Sequence, residues 1–151
     1  MMEQGLAMFR AIGSLLVYPY FLTYLVEAHL AAGRVEEGLR CVNEALQLAT
    51  EGLNISFVAE MRRLKGHLLL ASGSGGPAED CFRVALAMTR ESGANLLALR
   101  AATSLARLLA DRGARPEARA ILEAAWRALP ETATLPEVAA AADLLAALER
   151  A

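Results

Sequence analysis

The stretch VEAHLAAGRVEEGLRCVNEAL, residues 26–46, returns forty residues later as GHLLLASGSGGPAEDCFRVAL, residues 66–86. It returns once more as ARLLADRGARPEARAILEAAW, residues 106–126. Superposing the three stretches puts Gly33, Gly73 and Gly113 in one column and Gly38, Ala78 and Ala118 in another. Ala45, Ala85 and Ala125 align, as do the bulkier Val42, Phe82 and Leu122. Upstream of the glycine, Val26, Gly66 and Ala106 correspond, and so do His29, Leu69 and Leu109. A fixed period of this size marks stacked units that bury their apolar faces against one another, rather than a chain wrapped around one central core.

Each block divides at its glycine into two amphipathic helices. Tyr20 to Ala32 carries Phe21, Leu22, Leu25 and Ala28 at helical spacing, and Val35 to Ala49 resumes with Leu39, Val42 and Leu46 on one stripe. The glycine between them supplies the helix stop. The second block reads as Val58 to Ser72, a tight turn at Gly73 to Gly76, and a helix with Pro77 at its first position. The third runs from Leu97 to Arg112 and restarts near Pro116. Small residues at Gly38, Gly66, Ala78, Ala106 and Ala118 are the points where two helices of a hairpin approach closely, while Val42, Phe82 and Leu122 fill the space between hairpins. The expectation is an all-α, right-handed α-α superhelix of about eight helices in one domain, residues 1–151. Its units span residues 19–52, 55–92 and 95–129. Counting back one period makes residues 1–14 the second helix of a preceding unit, and residues 135–150, opened by Pro136, read as a C-terminal capping helix.

Composition agrees with helix and narrows function. Ala and Leu supply more than a third of the residues, and aromatics only 5%. A formal net charge of −2 gives no field that selects nucleic acid or an anionic membrane. No apolar run approaches the roughly 20 residues that cross a bilayer. The first ten residues already carry Glu3 and Gln4, unlike a basic-then-apolar leader. A cytoplasmic protein is expected. Cys41 and Cys81 are one period apart, at equivalent points of neighbouring helices about 8–10 Å apart, beyond the reach of a disulfide. With two cysteines and two histidines in all, no metal site is expected.

The order small, apolar, glycine, small, apolar, small resembles the tetratricopeptide repeat, in a variety with a longer period than the usual unit. The segments PYFLTYLVEAHLAAGRVEEGLRCVNEAL, AEMRRLKGHLLL and AEDCFRVALAMTRESGANLLALRAATSLARLLADRG are similar to the C-terminal repeat regions of bacterial multidomain signalling proteins. These are ATPase-containing nucleotide cyclases and LuxR-like transcriptional regulators, and the resemblance covers roughly residues 15–125. It implies a non-catalytic interaction or regulatory scaffold, since the cyclase and ATPase activities of such proteins belong to other domains.

The residues themselves carry no catalytic constellation and no cofactor motif. Gly73-Ser-Gly-Ser-Gly-Gly-Pro is glycine-rich but lacks the lysine and preceding strand of a phosphate-binding loop. His29 shares a column with Leu69 and Leu109 and is expected to fill core. Repeats of this kind bind on the concave face of their first helices. The positions expected to line that groove are Tyr20, Glu60 and Arg100, then Thr23, Arg63 and Thr103, then Glu27, His67 and Arg107. Arg100, Thr103 and Arg107 share a helix face and with Arg63 are placed to grip a carboxylate or an acidic peptide. The competing reading pairs the charges internally, Glu60 with Arg100 and Glu27 beside His67. Leu6, Phe9 and Ile12 form a terminal apolar stripe, read as a self-association face, as a contact with a missing domain, or as a surface covered by residues 15–20. Tyr18, Tyr20 and Tyr24 offer an aromatic pocket for a small effector as an alternative. Neither direct nucleic-acid contact nor membrane insertion is expected.

Overall fold

The computed structural model describes residues 18–48, 54–130 and 134–150. Its elements are α1 (Tyr18–Ala31), α2 (Val35–Leu48), α3 (Ile55–Ala71), α4 (Gly75–Glu91), α5 (Asn95–Asp111), α6 (Arg115–Arg127) and α7 (Pro136–Glu149). No strand occurs among the described residues. The expected helix over residues 1–14, with Leu6, Phe9 and Ile12, lies outside them.

One turn chemistry recurs along the chain. After α1 the backbone swings into the left-handed region at Gly33, φ 67°, and the amide of Arg34 reaches back to the carbonyl of His29. The same pair of features closes α3 at Gly73 with Ser74 to Leu69, and α5 at Gly113 with Ala114 to Leu109. This six-to-one bond satisfies a terminal carbonyl, and the positive φ that it needs is cheap only for glycine. Gly93, φ 70°, does likewise between α4 and α5, where Ala94 donates to Thr89. That glycine stands outside the forty-residue column.

The start of α4 differs from expectation. Ser74 is its N-cap and Gly75 its first residue, so Pro77 is third in the helix, not first. The first three amides of a helix have no intrahelical acceptor, so proline at the third position sacrifices no bond. The ladder begins one residue later, from Ala78 N–H to the Ser74 carbonyl at 3.1 Å. At α3 the start is set by Asn54, whose side chain accepts from the Ser56 amide at 2.9 Å.

Consecutive helices pack as hairpins, and the apolar side chains form two clusters along the array. Leu22, Val26, Val42, Ala45, Met61, Leu64 and Leu68 make the first; the second centres on Phe82, Leu99, Leu105 and Leu122. Two glycines permit the closest approaches. A Cβ on Gly66 would sit 2.5 Å from the Phe82 ring, and one on Gly38 would sit 2.6 Å from a Leu68 methyl. The two cysteines form no disulfide.

The array bends toward one side. Successive first helices touch directly, α1 with α3, α3 with α5 and α5 with α7, whereas α2, α4 and α6 make no comparably broad contact with one another. Long side chains bridge that outer side, as where Arg83 of α4 meets Glu117 of α6 at 2.8 Å. The first helices therefore line the inner face. Helix α7 packs on both α5 and α6, and Ala141 is as fully buried as its register mates Ala101 and Met61. It occupies the place of a fourth first helix, tied to α6 by Glu149 and Arg119 at 3.1 Å.

Candidate interaction face

On the inner face, Glu60 is the pivot. Its side chain is 8% exposed, and the carboxylate accepts two bonds from Arg63, one turn along α3, at 2.6 and 3.0 Å. The Arg100 guanidinium of α5 reaches the same carboxylate at 3.0 Å. It also lies 3.7 Å from Glu27 on α1, so one side chain of the third first helix spans to the first. That reach is possible only because the helices converge on this side. A buried carboxylate without such partners would be strongly destabilising; here two guanidinium groups replace the lost hydration.

His67 sits beside this cluster. Its Nε2 lies 2.9 Å from the Ser104 hydroxyl, whose own proton goes to the Arg100 carbonyl at 3.0 Å. Ser104 is thus the acceptor, and His67 carries its proton on Nε2. The ring meets the edge of Phe82 at a centroid distance of 5.0 Å. Burial, reinforced by the charge of Arg63 and only partly opposed by Glu60, lowers the imidazole pKa to about 4. His67 is neutral near pH 7.

The structure brings Glu27, Glu60, Arg63, His67, Arg100 and Arg107 into one electrostatic neighbourhood. Glu60 pairs with Arg100 as the internal-pairing reading requires. Glu27 approaches Arg100, not His67, because the long arginine crosses the inner face to meet it. Thr103 is buried and returns its hydroxyl to the Leu99 carbonyl at 2.8 Å, and Thr23 is half-buried. Arg107 is exposed and enters no ion pair among the described residues, so it alone of the three expected guanidinium donors is uncommitted. The side chain of Tyr20 lies outside the described residues, as does that of Tyr18, and Tyr24 is 64% exposed on α1. His29 is buried, with its Nδ1 unbonded. Ser104 went unnoticed in the sequence; the signal was a hydroxyl standing in register with Leu64 and Tyr24.

No group of three or more His, Cys, Asp or Glu among the described residues is arranged to hold a metal ion, and no described helix is long and apolar enough to cross a membrane. A scan against protein-family models finds no match, and a search of curated proteins finds none either. Among solved structures the chain is similar to one from Podosopora anserina, assigned as a kinesin light chain with nearly identical TPR-like repeats. The two share a TM-score of 0.71 and 18% identity over 99% of this chain and 74% of the other. The fold is an all-α superhelical solenoid of tetratricopeptide-like repeats.

Proposed function

We propose that the chain is a non-catalytic, cytoplasmic scaffold module that receives a peptide or protein partner along the inner face of α1, α3 and α5, within a bacterial signalling or transcription regulator. The observation that carries this reading is the burial of Glu60 between Arg63 and Arg100 on the face where the first helices converge. A polar cluster spread over three helices costs stability relative to an apolar seam. It presents fixed donors and acceptors to whatever lies along the groove. Because Arg63 and Arg100 are already engaged, Arg107 supplies the uncommitted charge, and an acidic segment is the favoured ligand.

Selection of peptides on the immobilised chain provides the test. Enriched acidic peptides should bind less tightly at higher salt, lose affinity in Arg107→Ala, and lose more in Arg107→Glu, in which the charge is reversed. Val84→Asp, on the outer side of α4, should leave binding intact. Binding unaffected by both inner-face variants would reject the reading.

A further inference from the structure

A second polar feature lies in the seam between hairpins, at the back of α3, away from the inner face and independent of its function. The register exposes it. Leu22, Arg62 and Ala102 form one column, and Leu25, Lys65 and Leu105 the adjacent one. In the outer two units these positions are packed shut, with Leu22 at 2% exposure, Leu25 at 7%, Ala102 at 0% and Leu105 at 1%. In the middle unit both are cations, one turn apart and half-buried.

These cations lack the usual compensation. Neither enters an ion pair among the described residues. The Nε of Arg62 is buried with no hydrogen-bond partner. The Lys65 ammonium donates to a neutral acceptor, the Asn43 Oδ1 of α2, at 2.8 Å. That bond occupies the amide oxygen of Asn43 and leaves its NH₂ group as a further donor. From α4, Cys81 feels the charges of Lys65 and Arg62 more strongly than that of Asp80, although burial raises its thiol pKa overall. Among the charges that act on the Cys81 thiol, one carboxylate, Asp80, stands against the two cations.

We propose that Arg62, Lys65 and Asn43 form an anion-binding notch in the seam between α2 and α4, and that it takes a phosphate group. Two adjacent cations with a neutral donor match a group that carries about two negative charges and three acceptor oxygens. The phosphate would supply the missing acceptor to the Arg62 Nε and bridge α2 to α3. Its source is either free phosphate or a phosphorylated peptide.

The decisive variant restores the register of the third unit, Arg62→Ala with Lys65→Leu. Melting of the full chain is followed in inorganic phosphate, in sodium chloride at matched ionic strength, and with a phosphoserine peptide beside its unphosphorylated counterpart. A saturable rise of about 2–4 °C in phosphate or phosphopeptide over its control is expected. The double variant should melt at or above the parent temperature and lose that rise. A response to the phosphopeptide alone assigns a partner-borne group; an equal response to inorganic phosphate assigns a free one. Lys65 is the sole lysine of the chain, so an amine-reactive ester reports on it directly apart from the N-terminus. Bound phosphate should slow its modification severalfold. The proposal is overturned if chloride reproduces the rise, if the rise survives in the double variant, or if that variant melts below the parent, which would make the cations structural.

Discussion

Gly66 and Phe82 show how a single atom is read by the fold. The benzyl ring fills the space that a glycine Cβ would take, 2.5 Å away, and both residues lie in the packed interior between α3 and α4. Gly66→Ala should therefore destabilise the chain by about 1–3 kcal/mol in urea titration, by overpacking. Combining it with Phe82→Leu should cost less than the sum of the two changes, because the smaller side chain vacates the clash. His67 gives a second test at this scale. An imidazole with its folded pKa near 4 and an unfolded value near 6.5 binds protons more readily when the chain is unfolded. Its contribution is complete above pH 6.5 and is lost as the pH falls toward 4, by up to about 3 kcal/mol. His67→Gln should flatten the stability profile across that window, as followed by thermal melting at successive pH values. The groove columns were legible in the sequence because they follow the period. The pairing of Glu60 with Arg100 was legible too; the partner of Glu27 was not, since the reach of Arg100 from α5 to Glu27 on α1 depends on how sharply the array curves, and a linear register carries no curvature.

Among the helices, ends were harder to read than identities. The helices were signalled by their apolar stripes and, up to α6, by the glycines between them, yet α4 begins at Gly75, with Ser74 at the N-cap position and no side-chain bond to the helix, and not at Pro77. A run of Gly-Ser-Gly-Gly offers several backbone starts, and only the packing of Ala78 against its neighbours selects one. Outer-face ion pairs belong to this scale too. Arg83 links Glu79 of its own helix to Glu117 of α6 while remaining 44% exposed, so its charge is well solvated. Arg83→Ala should shift the melting temperature by no more than about 2 °C. Ala118→Leu, by contrast, forces a large side chain into a fully buried site on α6 and should cost about 1–3 kcal/mol. Urea titration of the two variants side by side would rank buried packing against surface charge.

Across the molecule, stability should be distributed as it is in a row of neighbours. The two apolar clusters meet through α3 and α4, and α1 has no direct contact of any breadth with α5 or α6. Leu22→Ala should therefore speed amide exchange in α1 and α2 and leave the slow amides of α5 and α6 protected. Uniform loss of protection would instead indicate one cooperative block. The turn at Gly93 adds something about length itself. It is built like those at Gly73 and Gly113, which stand 20 residues to either side, so the backbone makes no distinction between a turn inside a hairpin and one between hairpins. A chain punctuated in this way can gain or lose a segment between two equivalent glycines and rejoin in phase. Recombination that adds or removes a whole forty-residue unit would keep first helices on the inner face, and the reach of the array becomes a heritable quantity that changes in whole steps.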